Sequence, residues 1–171
     1  HGIKAHTAFF FFFYFKIVDV TEQYGLAIIP GIATDGKGKT QVFIQILDGK
    51  QIKSAFFAFD PHSFAASEEV FNLTIENNRF SMKSLYIDMP TYKGNINFIN
   101  HKTLKQTLLA PNIMGWYSFI PWMQCNHALL SMICDLQGEL EIEGRLVSFN
   151  GGKGYIEKDW GSSFPKSWIW L

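Results

Sequence analysis

The sequence predicts an all-β protein, an antiparallel barrel or sandwich, and three observations carry that expectation. Apolar residues recur with a period of two, as where Val42, Ile44 and Ile46 alternate with Gln41, Phe43 and Gln45. Tight-turn pairs such as Asp48-Gly49 and Asn77-Asn78 separate the alternating runs. Loops are punctuated by Pro61, Pro90, Pro111, Pro121 and Pro165, with no long helical pattern between them.

Taken in order, the elements are short. The run Phe9 to Phe13 is too brief to cross a membrane, because the apolar stretch Ala8 to Phe15 falls far below the roughly 20 residues a spanning helix needs, so it reads as a buried strand. No small-residue cleavage site follows it, which argues against a signal peptide. Gln41–Leu47 and Ile52–Phe59 form a hairpin about Asp48-Gly49, with Phe57 and Phe59 on one face. Phe71, Leu73 and Ile75 alternate with polar neighbours, and Phe80 and Met82 resume after Asn77-Asn78. Ile96 and Phe98 mark another strand, and His101 to Leu109 reads as a short helix. Leu129 to Cys134 is apolar on both sides, which fits a buried strand or a helical turn equally. Leu140 and Ile142 alternate with Glu139, Glu141 and Glu143, a strand with one wet face.

Composition excludes several classes. The 171 residues are enough for one domain with a core. Hydrophobic residues make up 47% and charged ones 18%, which is globular and not disordered. The 15 basic residues balance 15 acidic ones and form no stripe, so no nucleic-acid partner is expected. Cys125 and Cys134 make no disulfide framework and no zinc-ligand spacing; they read as reduced thiols of a cytoplasmic protein, and neither a metal nor a cofactor is expected. Aromatic residues reach 16%, with 17 phenylalanines, which fits either a β-rich core or a greasy cavity.

The chemistry concentrates in the last stretch, Phe149 to Leu171. Trp160, Trp168 and Trp170 stand there beside Glu157, Lys158 and Asp159, just after the glycine-rich turn Gly151-Gly152-Lys153-Gly154. On a strand, Tyr155, Glu157 and Asp159 share one face, and Ile156, Lys158 and Trp160 share the other. Either the carboxylates face solvent, or one carboxyl sits in a low-dielectric pocket where burial raises its pKa and lets it act as an acid. Alternation alone does not say which face is inward. Lys158 could pair with one of the carboxylates.

This stretch resembles the tocopherol cyclase family, which carries Tyr-x-Glu-Lys-x-Trp-Gly, then Ser-Phe-Pro, then two tryptophans one residue apart. Tyr155, Glu157, Lys158, Trp160, Gly161, Ser163, Phe164, Pro165, Trp168 and Trp170 fill those places. The family's early run Glu-Gly-Trp-Tyr-Phe-Lys is matched only at Tyr14-Phe15-Lys16, with Phe11-Phe12-Phe13 in place of Glu-Gly-Trp. Pro121-Trp122-Met123-Gln124-Cys125-Asn126-His127 is similar to a segment in which a histidine ends a Pro-x-Met run. The resemblance implies a lipocalin-like β-barrel, related to that of carotenoid hydratases, and reads residues 1–171 as one such domain within a longer, two-part protein.

The implied activity closes a chromanol ring: an alkene of a prenylated quinol is protonated, and the phenol oxygen captures the tertiary cation. The acid is expected at Asp159 or Glu157, with Asp159 preferred because Trp160 could shield it, and Tyr155 and His127 follow as candidates. Trp160, Trp168, Trp170, Trp122, Tyr14, Phe57 and Phe59 are the expected ligand wall. The expected partner is a hydrophobic small molecule, a prenylquinol, isoprenoid or lipid, and peripheral membrane contact is compatible with it. The competing readings are a non-catalytic carrier of such a ligand and a purely structural barrel with a filled core.

Overall fold

The computed structural model describes residues 8–67, 71–105, 107, 113–120 and 122–163. Its strands are β1 (Phe9–Val18), β2 (Gly25–Thr34), β3 (Thr40–Asp48), β4 (Lys53–Phe59), β5 (Phe64–Ala66), β6 (Asn72–Ile75), β7 (Asn78–Ser81), β8 (Ser84–Met89), β9 (Tyr92–Lys102), β10 (Cys125–Ile142), β11 (Arg145–Ser148) and β12 (Lys153–Gly161). Two short 3-10 turns, Pro61–Ser63 and Gly115–Phe119, complete the described elements. The fold is the antiparallel all-β, barrel-like one that the alternation predicts. All twelve strands form one sheet in the order β4-β3-β2-β1-β12-β10-β9-β8-β7-β6-β5, with β11 beside β10.

The phenylalanine run is strand β1, and its alternation decides the two faces of the sheet. Phe11, Phe13, Phe15 and Ile17 pack on one side; Phe10, Phe12, Tyr14 and Lys16 take the other. Four strands separate β1 from β7 in the sheet, yet the rings of Phe15 and Phe80 lie 5.7 Å apart. The sheet therefore curls round its apolar face. Phe13 stacks on Phe71 at 3.7 Å, and Phe15 reaches Phe98 at 5.6 Å. Phe57 meets Tyr92 edge-on at 6.4 Å, bringing β4 towards β9. Rings offset or edge-on in this way add to the burial of their area.

The hairpins follow the turn signals. Ile52 and Glu76 take positive φ, in the turns after Asp48 and before Asn78. Asn78 is buried: its Nδ2 donates to the Ile75 carbonyl and its Oδ1 accepts from the Asp88 N–H, which ties that turn to β8. Gly138 bends β10 at φ 130°, and a Cβ there would stand 2.1 Å from the Asn95 carbonyl oxygen of β9, so only glycine fits.

Two expectations are corrected or resolved. His101 and Lys102 end β9 instead of starting a helix, and Thr103 to Lys105 are irregular; Leu109 lies outside the described residues. Leu129 to Cys134 is strand, and its unbroken apolar character has a geometric cause. The pairing of β10 with β12 shifts register between Leu129 and Ser131 and again between Ser131 and Cys134. Bulged residues leave the simple alternation, so Leu130 packs against the core while Met132 and Ile133 stand exposed. Cys125 and Cys134 are free thiols. Among the described residues no helix is long and apolar enough to cross a membrane.

Phe15 is fully buried and touches Phe71, Phe80 and Phe98, so it ties β1 to the opposite wall. Phe15→Ala should lower stability by about 3–5 kcal/mol, read from urea unfolding. A loss under about 1 kcal/mol would contradict this packing.

Candidate active site

Strand β12 positions the site. The turn before it holds Gly151 at φ 77°, and a Cβ on Gly152 would lie 2.2 Å from the Val18 carbonyl oxygen, so the chain can turn back tightly against β1. From there β12 runs between β1 and β10. Its alternate residues Gly154, Ile156, Lys158 and Trp160 lie opposite Ile17, Phe15, Phe13 and Phe11, on the apolar face. Lys153, Tyr155, Glu157 and Asp159 lie on the other face, opposite Val18, Lys16, Tyr14 and Phe12. On the far flank His127 of β10 pairs with Asp159.

Although this is the side away from the phenylalanine core, Glu157 and Asp159 are only 3% and 7% exposed. Two buried carboxyls side by side need compensation. His127 supplies it: Nδ1 lies 2.6 Å from Asp159 Oδ1 and Nε2 lies 3.5 Å from Glu157 Oε2. A neutral imidazole has one N–H and one bare nitrogen, so only the imidazolium can turn a proton to both carboxyls. The Tyr155 hydroxyl donates to Glu157 Oε2, the backbone N–H of His127 donates to Met114 Sδ, and the Tyr14 and Tyr155 rings meet edge-on at 6.4 Å.

The electrostatics follow from this geometry. The hydrogen bond to Asp159 raises the His127 pKa against the cost of burial, with attraction from both carboxyls adding to the rise. Burial pushes the Glu157 carboxyl up, and proximity to Asp159 pushes it further, while Tyr155 and His127 pull it down. Tyr155 is raised by burial and by its bond to Glu157, and Tyr14 by burial and the nearby Glu157. The arrangement is a histidine that Asp159 helps to hold its proton, beside a carboxyl that also holds its proton more tightly than usual. His127, Glu157 and Asp159 each offer an atom within 4.8 Å of the others, so they are also the residues that could hold a cation.

A cavity of about 550 Å³ opens beside the row, lined by Tyr14, Lys16, Val18, Met132, Ile133, Lys153, Gly154 and Tyr155. That is within the range of small-molecule sites. The two tyrosines link it to Glu157.

Among the described residues the structure gathers Asp159, Glu157, Tyr155, His127 and Tyr14. It does not gather the rest of the expected wall. Trp160 lies on the opposite face from Asp159 and cannot shield it. Lys158 does not pair with either carboxylate; its ammonium stands over the Phe11 and Trp160 rings at 4.9 and 5.0 Å, and burial lowers its pKa. Phe57 and Phe59 pack against the apolar core on that same far face, and Trp122 is 79% exposed. Trp168 and Trp170 lie outside the described residues. Lys16, Lys153, Met132 and Ile133 were missed as cavity residues: the first two are visible as alternate positions on β1 and β12, but strand register and the β10 bulges are not.

Residues 103–171 match the tocopherol cyclase-like family model. That stretch holds His127, Tyr155, Glu157 and Asp159 but not Tyr14 or Lys16. Over 58 residues, 33% of this chain and 12% of the relative, the sequence is 33% identical to the chloroplastic tocopherol cyclase of Zea mays. Among solved structures, a protein described as AttH from Nitrosomonas europaea aligns at TM-score 0.54 and 10% identity over 94% of this chain and 53% of its own. CghA aligns at TM-score 0.53 and 9% identity over 92% of this chain and 47% of its own. At such identities these likenesses establish the fold, a lipocalin-like one. The chain spans about half the length of those structures and a small part of the maize relative.

His127 and Glu157 bind protons more tightly in the fold than in the unfolded chain, so their stabilisation is present at low pH and lost as pH rises. For His127 the loss begins near its ordinary value of about 6.5 and continues through its raised value. The thermal midpoint should fall across that window. His127→Gln should flatten the fall and cost most on the acid side. An unchanged slope in that variant would show that the His127–Asp159 pair does not form.

Proposed function

We propose that the row Asp159–Glu157–Tyr155, with His127, is a proton-delivery site that protonates an alkene of a prenylated quinol or similar isoprenoid and so closes a ring. The observation that carries this is a buried carboxyl, Glu157, joined by one hydrogen bond to a phenol that lines a cavity. The similarity of residues 103–171 to tocopherol cyclase-like proteins supports the same chemistry.

The step balances without any co-reactant. With substrate bound, the Tyr155 hydroxyl turns from Glu157 Oε2 to the alkene and gives its proton there, while protonated Glu157 donates its own to the Tyr155 oxygen. The alkene's electron pair forms the new C–H bond, which leaves a tertiary cation and a Glu157 carboxylate. The substrate's phenol oxygen attacks the cation, the C–O bond closes the ring, and the phenolic proton returns through Tyr155 to Glu157. Nothing is oxidised or reduced. His127 stabilises the transient carboxylate, and the Tyr14 and Tyr155 rings offer the cation an aromatic face. The apolar wall at Val18, Met132 and Ile133 helps keep water from trapping the cation as an alcohol. Asp159 holds His127, so this reading gives the acid role to Glu157 and a positioning role to Asp159.

The test is turnover of a prenylated quinol by the protein and its variants. Glu157→Gln and Tyr155→Phe should each lower kcat by about 100-fold or more, as removal of a general acid does. Asp159→Asn should cost less and shift the pH profile through His127. Full rates in both the Glu157 and Tyr155 variants would overturn the proposal. A wild type that binds such quinols without turning them over would establish the carrier reading.

A further inference from the structure

Lys158 has no part in the proton-delivery reading, and its surroundings set it apart from lysines such as Lys53, Lys93 and Lys153, which face carboxylates. It lies on the apolar face of β12, opposite Phe13 of β1 and Ala128 of β10. Its same-face neighbours along β12 are Ile156 and Trp160, and Phe11 and Asn126 flank Trp160. None of these carries a charge. The Lys158 Nζ stands 4.9 Å from the centre of the Phe11 ring and 5.0 Å from that of Trp160, and it makes no hydrogen bond or ion pair with any described residue. Phe11 meets Phe64 edge-on at 6.4 Å across the curl, so the aromatic surface continues past the amine. Lys158, Phe11 and Trp160 are nonetheless only partly buried. They sit near the strand ends, where Phe9 pairs with Thr34 and Phe10 with Gly161.

An ammonium without a counter-charge costs free energy in such a place, and two ring faces offset only part of it. We propose that Lys158 is a reactive amine that forms an imine with apolar aldehydes, whose chains lie against the Phe11 and Trp160 rings. The free amine attacks the carbonyl carbon, a C–N bond forms, and the carbonyl oxygen leaves as water with both nitrogen protons. Nothing is oxidised or reduced. A neutral imine then stands where the ammonium stood, which suits apolar surroundings, and a long aldehyde chain gains from burial what a short one does not. Lys158 is on the opposite face of β12 from Tyr155, Glu157 and Asp159, so this chemistry is separate from the proton-delivery row.

The experiment reads covalent labelling and does not depend on turnover. The protein is incubated at neutral pH with limiting octanal and sodium cyanoborohydride, which reduces each imine to a stable amine. Peptide mass spectrometry then gives the labelling rate at each lysine. Lys158 should be labelled about tenfold faster than Lys37, which stands in an exposed turn; burial of roughly two methylenes is worth that ratio. With acetaldehyde, which has almost no chain to bury, the ratio should fall by about threefold or more. Ala128→Glu sets a carboxylate opposite Lys158 that can pair with the ammonium, and should slow labelling there to the Lys37 rate or below. Ala128→Gln, of similar bulk, should not. Equal octanal labelling of Lys158 and Lys37 would overturn the proposal, as would a ratio just as large with acetaldehyde. Equal Lys158 rates in the two Ala128 variants, both folded by circular dichroism, would overturn it too. If either variant fails to fold, the wild-type comparison of octanal with acetaldehyde decides.

Discussion

Two carboxyls buried side by side on one strand set the terms for everything around them. Neither can carry a bare charge at that depth, and apolar packing cannot neutralise them. The answer in this fold is a single imidazole reaching both, which requires β10 to pair with β12 so that His127 falls opposite Asp159. That register in turn forces irregularity further along. The same two strands must also bring Cys134 beside Gly154 on the apolar face, and the bulges between Leu129 and Cys134 absorb the difference. By turning Met132 and Ile133 outward, they build the apolar wall of the cavity. The polar network and the groove beside it thus share one geometric cause.

The fold was legible because alternation is a local property. The turns at Asp48-Gly49 and Asn77-Asn78 and the wet edge at Glu139 and Glu141 could all be read from neighbouring residues. The separation of Tyr155, Glu157 and Asp159 from Ile156, Lys158 and Trp160 followed from the same rule. What could not be read was anything that depends on which strand lies beside which. Trp160 adjoins Asp159 in sequence, and sequence adjacency on a strand means opposite faces, so the indole was the wrong shield. The right partner, His127, lies far away in the chain and meets Asp159 only through pairing of β10 with β12. Lys158 was expected beside a carboxylate for the same reason and stands over aromatic rings instead. The short helix expected at His101 was a misreading of a strand end, where the polar residues past Phe98 give no period at all.

The aromatic content has a different meaning from the one composition first allows. A filled aromatic core and an aromatic binding groove draw on the same residues, and composition cannot separate them. Here the Phe11, Phe13 and Phe15 row meets Phe64, Phe71, Phe80 and Phe98 ring to ring, so those side chains serve one another. The candidate site uses the reverse of the same strand. Tyr14 sits between Phe13 and Phe15 in sequence yet faces Glu157. One strand therefore anchors the core with one set of residues and walls the site with the other.

That division has a consequence for how the site can be held rigid. A proton donor must keep its distance to the reacting atom within fractions of an ångström. Groups on loops rarely do so; groups on a central strand, flanked on both sides by hydrogen-bonded neighbours, can. Tyr155, Glu157 and Asp159 lie on the strand between β1 and β10, with Ile156 fully buried beneath them. Any shift of the row would have to move the core with it, because each site residue alternates with a core residue on the same backbone. The stiffness of the phenylalanine packing is therefore passed to the acid pair through the strand itself.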